Sequence, residues 1–199
     1  MAQATTTGTS ANEASMDDPD LVDALRGGDP DAPRILVERF QAEVLGLCAR
    51  MLGNRHDAED AAQESLVRAI RGCHGFDRTR PLRPWILGIA ANRCRTELAR
   101  RSRRPRVSEE VDERVESKAA AVEHDDLAAE LELALDRLRP EYRLVFILYH
   151  EQELTYEAIG EAIDRPVGTV KTWLHRARGE LASRLSRRGF SVEVESKRS

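Results

Sequence analysis

The chain has 199 residues, a third of them charged and 5% aromatic, with three cysteines and a net charge of −4. That length accommodates one large or two small domains. No apolar run approaches the ~18 residues of a membrane span, the first residues have neither the basic start nor the apolar core of a signal peptide, and three cysteines do not pair into a disulfide framework, so a reducing cytoplasm and no membrane insertion are expected. Strand-like alternation of β-branched and aromatic residues is scarce, which predicts an all-α chain. Charge is segregated: residues 1–33 carry −6, 34–104 carry +7, 105–136 carry −8 and 137–199 carry +3. Two basic bodies divided by an acidic strip suggest two polyanion-binding surfaces held apart by a self-repelling connector.

Residues 1–16 are small and polar and read as a disordered tail. Asp17-Asp18-Pro19 opens a short helix that Gly27-Gly28 stops. Asp29-Pro30 starts a second, with Ile35, Leu36, Phe40, Val44, Leu47, Cys48, Met51 and Leu52 as its buried stripe and Gly53-Asn54 as its end. A third runs from His56 to Arg71. It has acids in its first turn, where the helix dipole favours them, and a polar face of Asp60, Gln63, Glu64 and Arg71. Cys73 to Pro84 reads as a loop. From Trp85 a long helix runs to about Arg101 with Trp85, Ile86, Ile89, Ala90, Cys94 and Leu98 inward. Residues 78–104 hold nine Arg against Glu97 alone, the most basic stretch of the chain.

Residues 105–124 are acidic and poor in large apolar side chains, a flexible linker that reaches roughly 70 Å when extended. Asp125 or Asp126 caps a helix with Leu127, Leu131, Leu135 and Leu138 inside. Arg139-Pro140 separates it from one carrying Leu144, Val145, Ile147 and Leu148. Leu154 to Arg178 then reads as two helices around a tight turn. Thr155 caps the first, and Asp164-Arg165-Pro166 breaks it because Pro166 cannot continue a helix. The second buries Val170, Leu174, Ala177 and Leu181 and turns Thr169, Lys171, Thr172, His175, Arg176 and Arg178 outward. Between Arg165 and Arg188 seven basic residues face only Glu180. A basic, hydroxyl-bearing helix held across a turn has the form of a helix-turn-helix reader of the major groove. Gly189 ends it, and 189–199 is a tail.

The order of parts resembles a bacterial RNA polymerase sigma factor of the extracytoplasmic-function (group 4, sigma-70) type. The carriers are Asp57-Ala58-Glu59-Asp60-Ala61-Ala62-Gln63-Glu64, Phe76-Asp77, Trp85 to Asn92, Leu138 to Arg143, Leu154 to Gly160 and Pro166 to Arg178. The resemblance implies two small helical domains, sigma region 2 over 17–104 and sigma region 4 over 125–188. It implies core RNA polymerase and promoter DNA as partners, an anti-sigma protein able to mask both domains, and no cofactor, metal or catalytic residue. Asp60, Gln63, Glu64 and Arg71 become the polymerase-binding candidates. Arg78, Arg80, Arg83, Asn92, Arg93 and Arg100 become those for the single-stranded −10 element, where cations beside π-faces favour an unstacked strand. Arg165, Gly168, Thr169, Lys171, Thr172, Arg176 and Arg178 become those for duplex −35 DNA. Trp85 is a tempting wedge, but it begins an apolar stripe and reads as core. A zinc or redox site at Cys48, Cys73-His74 and Cys94 lacks the usual spacing. The rival is a helix-turn-helix regulator of the response-regulator type that acts without polymerase. A recombinase lacks its nucleophile.

Overall fold

The computed structural model describes residues 16–103 and 125–190. The expected disordered tail, acidic linker and C-terminal tail therefore fall, but for Met16, Gly189 and Phe190, outside the described residues. Those residues form eight α-helices and one 3-10 turn, without a strand.

In the first half α1 spans Asp18–Gly27, α2 Ala32–Leu52, α3 Arg55–Gly72 and α4 Leu82–Arg103, with the 3-10 turn at Cys73–Gly75 before α4. The Asp17 carboxylate accepts from the Asp20 amide to cap α1, and Gly28 ends that helix at φ 76°, a conformation side chains resist. α2 is the central rod. Its predicted stripe is buried throughout, and α1, α3, α4 and α6 pack around it. Two boundaries differ from expectation. α2 begins at Ala32, because the Asp29 side chain accepts from the Asp31 amide and holds the preceding residues in a turn. α4 begins at Leu82, so Pro84 lies in its first turn, where a missing N–H removes no helical bond.

In the second half α5 spans Asp125–Asp136, α6 Pro140–His150, α7 Tyr156–Ile163 and α8 Val167–Arg187. Ala134, Leu135, Leu138 and Tyr142 pack with Ala177 and Leu181 of α8 in a small cluster. Leu127, expected inside, is exposed, as is Leu133.

The two halves do not stand apart as the charge pattern suggested. Leu144, Ile147 and Leu148 of α6, Ile159 and Ile163 of α7, and Val170 and Leu174 of α8 belong to the same buried cluster as α2, α3 and α4. α6 packs on α2, and α7 lies along α4. Arg50 of α2 pairs with Glu132 and, at 2.6 Å, with Glu151. Arg143 donates to the Leu135 carbonyl at 2.9 Å and the Met51 carbonyl at 3.4 Å. The arginines that made the first body look like an open cationic surface partly serve as ties to the second.

Candidate nucleic-acid interface

The second half builds a helix, a turn and a projecting helix. The Thr155 hydroxyl accepts from the Ala158 amide to start α7, and Asp164 ends it in the left-handed region at φ 53°. The turn is tight: a Cβ at Gly160 would stand 2.8 Å from the Arg165 carbonyl oxygen, so glycine is required there. α8 then presents an exposed strip of Gly168, Thr172, His175 and Gly179, at the spacing of one helical face. At 100° per residue Lys171 and Arg178 flank the strip on one side, Thr169 and Arg176 on the other. In the N-terminal turn of α8 the Thr169 and Val170 amides donate to the Pro166 carbonyl, and the positive end of the helix dipole favours a phosphate beside Gly168.

The seven −35 candidates are therefore gathered on one helix and its turn, but several have partners. The Arg176 guanidinium donates to the Tyr142 hydroxyl at 3.1 Å, which ties its head to α6. Lys171 stands over the Tyr156 ring at 5.3 Å, and Arg178 over Tyr149 at 5.1 Å. Arg178 also donates to the His150 ring at 3.2 Å. Burial and then the Arg178 charge hold the His150 pKa below its ordinary value, so the ring stays neutral and accepts. The Thr172 hydroxyl donates back to the Gly168 carbonyl at 2.8 Å, and Arg165 donates to the Asp164 carbonyl. His175, central in the strip, was not among the candidates; its i, i+3 and i+4 spacing from Thr172 and Gly179 is the signal that marks it.

In the first half the loop before α4 is shaped by two devices. Arg26 donates to the carbonyls of Cys73 and His74, at 3.0 and 3.3 Å, and to that of Phe76. The Asp77 carboxylate accepts from the Thr79 amide at 3.0 Å and hydroxyl at 2.8 Å, which holds its pKa below the ordinary value. Phe76 packs on Trp85 with centroids 4.7 Å apart, and Trp85 also covers Gly72. Trp85 is half-buried rather than core. With Ile89 and Asn92 it lines a groove whose far wall is Ala158, Glu161 and Ala162 of α7.

The six −10 candidates divide. Arg80 and Asn92 border that groove, whereas Arg83 points away from it toward α2 and the residues after α6. Arg80 pairs with Glu161 at 2.8 Å, and Arg83 donates to Glu43 at 2.6 Å and to the Gln152 carbonyl at 2.8 Å. Arg78 pairs with Asp23 at 2.9 Å. Arg93 and Arg100 lie a quarter-turn away and close on Glu97, as does Arg101 at 3.9 Å. Glu97 is only 4% exposed. The Arg100 hydrogen bond first, then the Arg93 and Arg101 charges, hold its carboxyl below the ordinary range. Arg26 and Glu97 were missed from sequence, though each is the lone opposite charge in its stretch.

On α3, Asp60, Gln63 and Arg71 are exposed along one face together with Val67, an apolar contact point among polar ones. Glu64 is withdrawn from that face by Arg68 and Arg93. Cys48 and Cys94 are buried with their sulfurs 3.6 Å apart, and the hydrogen bond from the Cys94 thiol to the Cys48 sulfur, then burial, push the Cys94 pKa up, away from the reactive thiolate. Among the described residues no group of side chains is arranged to hold a metal ion, and no helix is long and apolar enough to cross a membrane.

Two family models match the chain: Sigma-70 region 2 over residues 36–104 and Sigma-70, region 4 over residues 128–181. The ECF RNA polymerase sigma factor SigW of Bacillus subtilis is 33% identical over 181 residues, covering 81% of this chain and 92% of that protein. The ECF RNA polymerase sigma-E factor of Haemophilus influenzae is 32% identical, covering 83% and 93%. Among solved structures, CnrH in complex with the cytosolic domain of CnrY superposes with a TM-score of 0.64 at 24% identity, covering 85% of this chain and 97% of that one. The sigma factor RpoE in complex with the anti-sigma factor NepR from Bartonella quintana gives 0.60 at 19%, covering 75% and 94%. The last two likenesses speak to the fold. This chain belongs to the extracytoplasmic-function branch of the sigma-70 family of RNA polymerase sigma factors.

Proposed function

We propose that this sigma factor docks on core RNA polymerase through the exposed face of α3, reads duplex −35 DNA with α8, and captures the −10 strand with the 76–83 loop and the groove side of α4. The observation that carries the reading is the pairing of two unlike basic faces in one chain. One is a projecting helix with a glycine-threonine strip, suited to the major groove. The other is the face of α4 and its preceding loop that sets Arg80 and Asn92 beside the Trp85 indole, suited to an unstacked strand. Strand separation costs about 1.4 kcal/mol per stacked step, so a site that favours single strands helps to open the duplex.

Within this reading 17–104 and 125–188 act as the two binding bodies and 105–124 as the tether. Asp60, Gln63 and Arg71 flank Val67 as the polymerase contact. Arg165, Thr169, Lys171, Thr172, Arg176 and Arg178 meet phosphates and base edges, and Gly168 brings the helix start close to the backbone. The polymerase carries out the chemistry, no residue of this chain is assigned a catalytic role, and the complex works in the cytoplasm. An anti-sigma protein that covers the exposed Leu127 and Leu133 of α5 is the third partner. The test is run-off transcription with purified core polymerase. A new start site that depends on added chain is expected, and its absence at any promoter in a genomic library overturns the reading.

A further inference from the structure

The structure assigns helix α1 a part in base selection. Arg26 is the positioning residue of the −10 loop: it sets where the loop stands beside α4, and so which base the loop accepts, without itself meeting DNA. The inference rests on the strand-site reading above and goes beyond it, since no residue of α1 figures among the strand contacts.

Arg26 is the lone cation of residues 1–33 and lies in the last turn of α1. A basic side chain there often serves the carbonyls of its own helix. In α1 those carbonyls are met instead by the Gly28 and Asp29 amides, and Arg26 crosses to another element. Its Nε donates to the Cys73 carbonyl at 3.0 Å, and a terminal nitrogen donates to those of His74, at 3.3 Å, and Phe76, 47 to 50 residues on. These carbonyls follow the end of α3, at the negative end of its dipole, where a guanidinium is held by charge as well as by direction. α1 is itself firmly mounted. Leu21, Val22 and Leu25 are buried in the core, and Arg39 of α2 donates to Asp18 at 3.1 Å.

The turn that follows keeps its shape without α1. The Arg80 amide donates to the Asp77 carbonyl at 3.0 Å, and the Thr79 amide and hydroxyl donate to the Asp77 carboxylate. What Arg26 supplies is place. It holds the carbonyl of Phe76, the residue joined directly to that turn, while the Phe76 ring rests on Trp85. Without the guanidinium the ring contact remains, and a ring contact is less directional than three hydrogen bonds, so the turn swings as a unit about Phe76. Phosphate contacts tolerate such a swing, because charge acts over a distance. Base-edge contacts do not, because a hydrogen bond needs both its distance and its angle. Asp23, three residues before Arg26, supplies the contrast. It pairs with Arg78 at 2.9 Å, and both side chains are about half exposed, so the pair is weak and yields to a phosphate. α1 thus meets the loop in two ways: Arg26 fixes its path, and Asp23 screens one of its cations.

The test uses holoenzyme, the full chain on core polymerase. Binding is measured to a fluorescent single strand of about 15 nucleotides that carries the −10 sequence of a promoter mapped by run-off, to each of its single-base substitutions, and to oligo-dT of equal length. Arg26→Ala is expected to lower the preference for the best base at the most selective position about tenfold, with oligo-dT binding within about twofold of the parent. Arg26→Lys, which keeps the charge but not the planar fork, is expected to lose about threefold, and it carries the test if Arg26→Ala does not fold. Asp23→Asn is expected to keep the parent preference and to tighten every strand about twofold. An unchanged preference in the Arg26 variants overturns the inference. So does an equal loss on every strand, oligo-dT included, which is what a residue that only holds the fold together gives. The strand-site reading fails separately. If Arg80→Ala leaves all strands at parent affinity, the loop does not meet the strand; if it weakens them while Arg26→Ala keeps the parent preference, only the role of α1 fails.

Discussion

Region 2 and region 4 are both rich in arginine, yet they use it in opposite ways. Around α4 the cations are spent internally. Glu97 gathers Arg93, Arg100 and Arg101, Glu64 also holds Arg93, and Glu43, Gln152 and Glu161 take Arg83 and Arg80. On the outward face of α8 Lys171, Arg176 and Arg178 lean on aromatic and neutral groups, Tyr142, Tyr149, Tyr156 and His150, which hold position without cancelling charge, while ion pairs fall at the helix's far end, Arg184 on Glu180 and Arg188 on Glu130. A basic stretch in sequence is thus not yet a basic surface. The first kind must be released before it meets DNA, and the second is standing. That difference matches the proposed tasks, because melted strand appears only after docking, whereas duplex is met at once.

The largest test of this contrast asks whether the halves are energetically one body. The two tryptophans report separately, Trp85 from region 2 and Trp173 from region 4. Ile159 is fully buried in the shared cluster. Ile159→Ala is expected to cost about 2–5 kcal/mol, and in single-tryptophan variants (Trp173→Phe, Trp85→Phe) both fluorescence transitions should shift together in urea. A shift confined to Trp173 would separate the bodies. Next, Arg176→Ala should cost about 1–3 kcal/mol of discrimination at one −35 base pair, measured by competition among duplexes varied at single positions. Equal weakening on every duplex would make Arg176 a phosphate contact instead.

Glu97→Gln should destabilise region 2 by on the order of 1 kcal/mol at neutral pH, through three arginines left without their shared partner. Glu97 is held below the ordinary carboxyl value of 4.5, so its contribution is present above that value and lost as pH falls through the lower, folded one. Parent and variant unfolding midpoints should therefore converge in acid; a constant gap would point to packing. The smallest effect belongs to His150. Its folded pKa lies below the ordinary 6.5, so protonation opposes folding and stability declines as pH falls below 6.5. His150→Gln should remove a few tenths of a kcal/mol of that decline, about the scale of an exposed charge contact, seen in midpoints at pH 5.5 and 7.5.

Much of this molecule was legible in the chain order. The α2 stripe, the Thr155 cap, the break at Asp164 to Pro166 and the outward face of α8 follow from local rules of spacing, capping and φ restriction, and such rules need no knowledge of neighbours. The α4 stripe was read less well. Trp85 and Ile89 looked inward by periodicity, but they face a groove that exists only because α7 lies opposite. Leu127 looked buried, but α5 has no element over that side among the described residues.

The sequence by itself determined the helices and the family, and marked the two basic stretches proposed to meet DNA, because each is written in residues close together along the chain. The tertiary structure alone decided which cations are free. Charge pairing across 29 residues between Glu64 and Arg93, or 81 between Arg80 and Glu161, depends on where the helices come to rest, not on composition. It also decided what Gly88 is for. In sequence it is a weak point in a helix; in the fold it lets α4 admit the backbone of α7, one of the contacts that join two bodies whose charges suggested they would stay apart.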